Sequence, residues 1–164
     1  MVATQQISIR AAVRADAPLV LAFIRELAVY EHLEHQVVAT VEDIEAALFG
    51  ERPYAEVVFA CLEGVPLGFA LFFHNFSTFL GKPGIYLEDL FVRPQARGLG
   101  LGRRLLAWLA RTTLERGGAR LDWAVLDWNE PSIAVYERLG ARFLSEWRIM
   151  RLSGDSLAAL ANLR

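Results

Sequence analysis

The chain has 164 residues, of which 54% are hydrophobic and 22% charged, and these values predict one folded domain spanning residues 1–164. A formal net charge of -2 argues against a nucleic-acid-binding protein, and no apolar run is long enough to cross a membrane. With a single cysteine, Cys61, and no apolar signal-peptide core at the N-terminus, we expect a cytoplasmic protein without an intramolecular disulfide.

The first third of the chain predicts one strand followed by two helices. Residues 7–13 alternate between apolar and polar side chains, which is typical of a strand. Asp16 is expected to cap a helix whose apolar side chains recur at helical spacing: Leu19, Phe23, Leu27 and Tyr30. Thr40 with Asp43 three residues later resembles a capping box, and the helix that it opens is predicted to end near Gly50.

The middle of the chain is strand-rich. Apolar runs predict strands at 55–63 and 66–75, joined by a turn at Glu63-Gly64. Cys61 lies in the first of these runs, where a small buried hydrophobe is a better interpretation than a nucleophile. A loop is predicted at 75–84, followed by a strand at 85–92.

The last part of the chain alternates helices and strands. We predict a helix over Leu101–Arg116, a strand at 119–127, a helix over Glu130–Leu139, a strand at 143–152 and a helix over Asp155–Leu163. Hairpin-scale strands followed by a strand–helix–strand crossover favour an α/β (α+β) fold: a mixed, mostly antiparallel sheet flanked by helices.

The most informative segment is the strand 85–92 and the Gly-rich loop after it. The strand carries adjacent acids, Glu88 and Asp89, and the loop Arg97–Gly102 opens directly into a helix. Backbone amides of such a loop bind phosphate oxygens, and four arginines surround it: Arg93, Arg97, Arg103 and Arg104. The glycine spacing matches neither the dinucleotide fingerprint nor a P-loop.

Strand alternation makes a prediction for the two acids. It places Glu88 on one face with Tyr86, Leu90 and Val92, and Asp89 on the other face with Leu87 and Phe91. An acid among apolar neighbours has a raised pKa, which suits a general base, so these acids are candidates for proton removal. A pair of structural acids joined to arginines is the alternative.

Four blocks in order resemble the GCN5-related N-acetyltransferase (GNAT) superfamily: ELAVYEHLEHQV, YLEDLFV, RGLGLG and LDWNEPSIAVYERLGA. They are most similar to its diamine (spermidine/spermine) and thialysine acetyltransferase branch. The resemblance implies acetyl-CoA as co-substrate, held where two parallel strands splay apart, and a homodimer.

The resemblance also assigns residues. Glu88 is implied as base or amine ligand, Tyr136 as general acid, and Tyr30, Glu31 and Asp89 as further contacts of the amine. Taken alone, Tyr136 would fit a core aromatic residue, and Tyr30 and Glu31 an ordinary helix end. The implied acetyl-CoA contacts are Leu90, Phe91, Val92, Arg97, Gly98, Leu99, Gly100, Leu101, Gly102, Arg103, Asn129, Ser132 and Tyr136.

The function implied is acetyl transfer to a primary amine of a small cationic acceptor by direct attack in a ternary complex. The implied acceptors are a diamine, a polyamine or a lysine- or thialysine-like amino acid. His35 and Ser77 depart from the pattern of polyamine enzymes, which favours a compact diamine or a lysine-like amino acid over a polyamine. A non-catalytic acyl-CoA-binding domain and a protein or peptide acetyltransferase are the alternatives. His32 and His35 are too few for a zinc site, so no metal is expected.

Overall fold

A computed structural model describes residues 6–163. The chain falls into two compact units, one ending at Ala124 and the other beginning at Val125. The single-domain organisation stays a prediction, and each unit is described by itself. Among the described residues, no helix is both long and apolar enough to span a membrane.

Among the described residues of the first unit, five strands form one sheet in chain order: β1 Ile7–Ala11, β2 Glu56–Leu62, β3 Val65–Ser77, β4 Lys82–Val92 and β5 Leu121–Trp123. Strands β1 to β4 pair antiparallel, whereas β5 runs parallel to β4. The predicted mixed, mostly antiparallel sheet with one parallel pair is therefore confirmed.

Helices cover both faces of this sheet: α1 Ala17–Tyr30, α2 Val41–Phe49 and α3 Leu101–Glu115. Alternate sheet residues separate the two cores, as alternation along strands requires. On the α1 and α2 face, Phe23 packs with Phe59 and Phe69. On the α3 face, the Phe72 ring lies 5.8 Å from that of Trp108. Cys61 is buried in the α1 and α2 core, as predicted.

Local sequence signals explain most of the turns. Thr40 and Asp43 form the predicted capping box, and Glu63-Gly64 form the predicted turn with positive φ values of 49° and 79°. Asp16 stands at the N-cap of α1, but its carboxylate accepts hydrogen bonds from Arg10 and from the Val13 amide instead of capping the helix. The capping role predicted for Asp16 was wrong because an ion pair with Arg10 competes for the carboxylate.

Two predicted boundaries around β4 were wrong. Residues 75–84 do not form a long loop, because β3 and β4 continue pairing out to Ser77 and Lys82. Gly84 permits this close hairpin, since a Cβ there would lie 2.4 Å from Asn75 Oδ1. The strand predicted at 119–127 shortens to Leu121–Trp123, because its ladder with β4 ends at Leu87.

The second unit contains α4 Glu130–Arg138 and α5 Gly154–Ala161, close to their predicted positions. The strand predicted at 143–152 was wrong. The Trp147 amide donates to the Leu144 carbonyl, and the turn that this bond closes interrupts the extended backbone. Apolar alternation alone does not make a strand where no neighbouring strand supplies backbone partners.

Candidate functional site

A β-bulge lies at the two acids of β4. Leu71 of β3 pairs with Asp89 and the next residue, Phe72, pairs with Leu87, so Glu88 is the extra residue in β4. Bulges break side-chain alternation and re-aim side chains next to active sites. The bulge therefore makes Glu88 independent of the regular sheet faces, and its side chain is exposed.

This bulge corrects the faces expected from alternation. Asp89 and Phe91 pair across the strands with Leu71 and Phe69, and these four residues lie on the α1 face. Leu87 pairs with Phe72, and both lie on the α3 face. Asp89 and Leu87 thus do not share a face, because one extra residue inverts the alternation between them.

The acids form a cluster of three that joins β4 to the end of α1. Burial, then the charge of Glu88, then that of Glu31 raise the pKa of the Asp89 carboxyl to about 7. Burial also raises the pKa of Glu31. The raised pKa of Asp89 has burial as its largest cause, in keeping with a side chain that is less exposed than that of its neighbour Glu88.

The C-terminal turn of α1 positions Tyr30 and Glu31. The His32 amide donates to the Val29 carbonyl and the Leu33 amide to the Ala28 carbonyl, which together form a Schellman motif. His32 takes the left-handed position at φ 60°, where glycine is usual. The helix therefore stops directly after Tyr30 and leaves Glu31 at its C-cap, facing the acids of β4.

Arg97 contacts the end of α1 and the strand β4, the two elements that carry the acids. Its guanidinium carbon lies 4.8 Å from the centre of the Tyr30 ring and 5.6 Å from that of Phe91. Its Nε donates to the Val92 carbonyl at 3.1 Å. The Tyr30 and Phe91 rings themselves are 6.3 Å apart. The first residue of the Gly-rich segment therefore turns its side chain onto α1 and β4.

The Gly-rich loop ends in an open helix N-terminus. Gly98 and Gly100 have φ values of 78° and 89°, and a Cβ at either would meet no atom within 4 Å. The first intrahelical bond of α3 runs from the Arg104 amide to the Gly100 carbonyl. The amides of Leu101, Gly102 and Arg103 thus lack intrahelical acceptors, which is the arrangement that binds anions.

The backbone of Leu90, Phe91 and Val92 lies beside this loop on β4. These residues pair with β3, whereas the ladder from β4 to β5 stops at Leu87 among the described residues. The β5 side of this stretch thus lacks a ladder partner, as a splayed parallel pair requires. A main-chain N–H facing such a gap could bind a carbonyl oxygen of a ligand.

Asn129, Ser132 and Tyr136 belong to the second unit. The buried Asn129 is the N-cap of α4, where its side-chain oxygen accepts from the Ser132 amide at 3.4 Å. Tyr136 lies one turn further along α4 and is half-buried. The roles of these three residues toward a cofactor stay predictions.

Two features of the site were missed in the sequence. The bulge depends on the pairing of β4 with β3, and the Arg97–Tyr30 stacking joins residues far apart in the chain. Neither leaves a local signal. Ser77, singled out as a departure from polyamine enzymes, is buried at the end of β3 and accepts from the Leu80 amide. Among the described residues, no group of three or more metal-binding side chains converges.

Comparisons with known proteins agree with this geometry. The chain is 37% identical to thialysine N-epsilon-acetyltransferase of Sus scrofa, over 93% of this chain and 96% of the relative. It is 32% identical to L-ornithine N5-acetyltransferase of Arabidopsis thaliana, over 94% and 88% of the two chains. An integron cassette protein from the mobile metagenome of V. cholerae has the same fold, with a TM-score of 0.80 at 26% identity over 96% and 98%.

The family model for the acetyltransferase (GNAT) family matches residues 22–141, a range that includes the end of α1, the bulge of β4, the Gly-rich loop and α4. The range thus covers every residue predicted for the site. The chain belongs to the GNAT family of acetyltransferases, a family that uses acetyl-CoA, and is an acyltransferase enzyme.

Proposed function

We propose that this enzyme acetylates a primary amine of a small cationic acceptor, a compact diamine or a lysine-like amino acid. The observation that carries the proposal is the cluster of Glu31, Glu88 and Asp89, where burial and then the neighbouring carboxylates raise the pKa of Asp89 to about 7. A cationic amine bound there would relieve the repulsion between the carboxylates. The names of the thialysine and ornithine relatives support acceptors of this kind.

The Gly-rich loop fits the phosphates of acetyl-CoA. Open space above Gly98 and Gly100 lets an anion approach the backbone, and the α3 amides of Leu101, Gly102 and Arg103 point toward it. Acetyl-CoA supplies an activated acetyl thioester when bound. At Leu90, Phe91 and Val92, the backbone edge of β4 that faces β5 has no strand partner. That edge would position the pantetheine arm and the thioester carbonyl.

The acid pair is needed to remove a proton from the amine before it reacts. A lysine-like amine has a pKa of about 10.4 and arrives charged, yet only the neutral amine attacks a carbonyl. We assign proton removal to the Glu88–Asp89 pair: exposed Glu88 is placed by the bulge to receive the proton, directly or through water. Asp89, whose pKa is raised to about 7, is ionised above that pH and is suited to take up a proton there.

The remaining proton goes to the leaving group. As the amine nitrogen bonds to the carbonyl carbon and the carbon–sulfur bond breaks, the thiolate needs a proton. We assign its donation to the Tyr136 phenol, and the second proton that the nitrogen loses on forming the amide returns the phenolate to its neutral state through solvent. Asn129 and Ser132 are further contacts of the co-substrate. Direct transfer leaves no acetylated enzyme, so the buried Cys61 has no part in it.

An acceptor panel tests the function. Release of CoA from acetyl-CoA would be measured with thialysine, ornithine, lysine, putrescine, spermidine and a lysine peptide. We expect turnover with a small amine and less with the peptide, and a strong loss in Glu88→Gln and Tyr136→Phe. Tight CoA binding without any acetylated product would favour a binding domain, whereas preference for the peptide would favour a protein acetyltransferase.

We further propose that the enzyme is a homodimer, as the branch resemblance implies. Large exposed apolar side chains in the second unit support this assembly, among them Phe143, Trp147 and Ile149. Sedimentation at micromolar concentration would test it, and a monomer alone would reject it.

A further inference from the structure

We infer that Arg97 is a positioning residue for the amine acceptor. Its guanidinium holds the Tyr30 ring against Phe91 and so connects the Gly-rich loop to the side of the acceptor site formed by the end of α1 and β4. The inference rests on the proposed acceptor site. It assigns the Arg97 side chain a task separate from the phosphate contacts expected of the loop backbone.

The direction of the side chain is the first argument. Arg97 belongs to the loop by its backbone, but its guanidinium lies 4.8 Å from the Tyr30 ring centre and 5.6 Å from that of Phe91. Its Nε is fixed by the Val92 carbonyl at 3.1 Å. The Arg97 guanidinium thus bridges α1 and β4. A planar guanidinium stacks on aromatic rings, and a lysine ammonium does not reproduce this stacking.

The position of the two rings is the second argument. Tyr30 immediately precedes Glu31, and Phe91 lies two residues after Asp89 on the same face of β4. Each ring thus belongs to an element that also carries a member of the acid cluster within two residues. A shift of the loop would move the guanidinium and, with it, the Tyr30 ring beside the acceptor.

Arg93 provides an internal comparison. Its guanidinium carbon lies 4.4 Å from the Phe23 ring centre, and it forms two hydrogen bonds with Glu26 at 2.7 and 2.9 Å. This arginine holds α1 to β4 through an ion pair, further from the acids. Among the described residues Arg97 forms no ion pair, so ring stacking and one carbonyl are what fix it.

The test is a double-mutant cycle between Arg97 and Tyr30, measured by steady-state kinetics. We expect Arg97→Lys to raise the KM for thialysine or ornithine about 5- to 30-fold while the KM for acetyl-CoA changes less than about 2-fold. Tyr30→Leu should have a similar effect, and the double variant should be little worse than either. Tyr30→Phe, which keeps a ring, should retain the sensitivity to Arg97→Lys.

Arg93→Lys is the matched control. It should lower the melting temperature and leave the acceptor KM unchanged, because its ring and carboxylate partners lie away from the acids. If Arg97→Lys does not fold, Arg97→Gln takes its place in the cycle.

The outcomes separate this inference from the proposed function. A rise in the KM for acetyl-CoA alone, equal rises in both KM values, or additive effects of Arg97→Lys and Tyr30→Leu would overturn the positioning role while leaving amine acetylation intact. Failure of the wild-type enzyme to acetylate any amine would overturn both.

Discussion

The Gly-rich loop and the acid cluster are built for opposite charges by opposite means. The loop presents backbone: Gly98 and Gly100 take left-handed conformations in open space, and the first amides of α3, which lack intrahelical acceptors, follow them. The acid cluster presents side chains, and it crowds Asp89 with Glu31 and Glu88 in a partly buried position.

The difference has an energetic consequence. Backbone amides at a helix N-terminus carry partial positive charge at every pH, so an anion site made from them is always ready. Crowded carboxyls resist ionisation, so the acid cluster changes with pH and with the charge of its ligand. Substitutions should therefore give pH-dependent effects at the acids and pH-independent effects at the loop.

The largest effect is expected from Asp89→Asn. We expect kcat/KM for the amine to fall by about 10²- to 10⁴-fold at pH 7, because the amide cannot accept a proton or pair with a cation. In the wild type, kcat/KM should fall as pH drops below about 7, where Asp89 becomes protonated. A pH–rate profile would show that limb, and Asp89→Asn should remove it.

The exposed acid Glu34, just beyond the end of α1, is the control for that experiment. Glu34→Gln should leave both the rate and the pH limb unchanged. Retention of the wild-type profile in Asp89→Asn would contradict the assignment of the limb to Asp89.

Stability should show the same titration without any substrate. Because the pKa of Asp89 is raised from 3.8 to about 7 in the fold, the folded state binds more protons than the unfolded state between these values. The free energy of unfolding should therefore fall by about 3 kcal/mol as pH rises from about 4 to 7, allowing for partial exposure. Denaturant unfolding of Asp89→Asn should lack this loss, and parallel curves for the two proteins would refute it.

The two regions also differ in how far they could be predicted from sequence. The glycines of the loop act locally, and the strand before it and the helix after it were correctly placed. The bulge at Glu88 arises from the pairing of β4 with β3, and the raised pKa of Asp89 from burial against α1. Neither property belongs to the segment 85–92 alone, so alternation correctly placed Asp89 on the face of Phe91 but wrongly added Leu87 to that face.

The segment 143–152 shows the same limit. Its apolar pattern suits a strand, but a strand also needs backbone partners, which a pattern does not reveal. The turn between Leu144 and Trp147 interrupts it instead.

Substitutions at two glycines, Gly100 and Gly102, test how the loop binds phosphate. Gly102→Ala adds a Cβ 3.7 Å from Val92 Cγ2, an ordinary contact, in the first turn of α3. The free energy of unfolding should rise by about 0.5–1 kcal/mol, whereas the KM for acetyl-CoA should rise about tenfold because the methyl group obstructs the amides. Gly100→Ala should instead lose about 1–2 kcal/mol, because its φ is 89°.

The effect of Gly102→Ala on the KM for acetyl-CoA should be independent of pH between 6 and 8, in contrast to the effects expected at Asp89. Kinetics at three pH values would decide this. An unchanged KM in Gly102→Ala would place the phosphates elsewhere.

The smallest expected effect is the relief of backbone strain at two residues, one beside the acid cluster and one in the turn between β2 and β3. His32 and Glu63 are the non-glycine residues with positive φ among those described, at 60° and 49°. Either residue replaced by glycine should gain about 0.5–1 kcal/mol of stability, since the left-handed conformation no longer costs energy. His32 ends α1 beside Glu31, so His32→Gly should also change the KM for the amine, whereas Glu63→Gly, in the turn between β2 and β3, should leave it unchanged. Thermal unfolding and amine kinetics on the two variants would separate strain that serves the site from strain that only closes a turn, and equal kinetics in both would assign His32 to the fold alone.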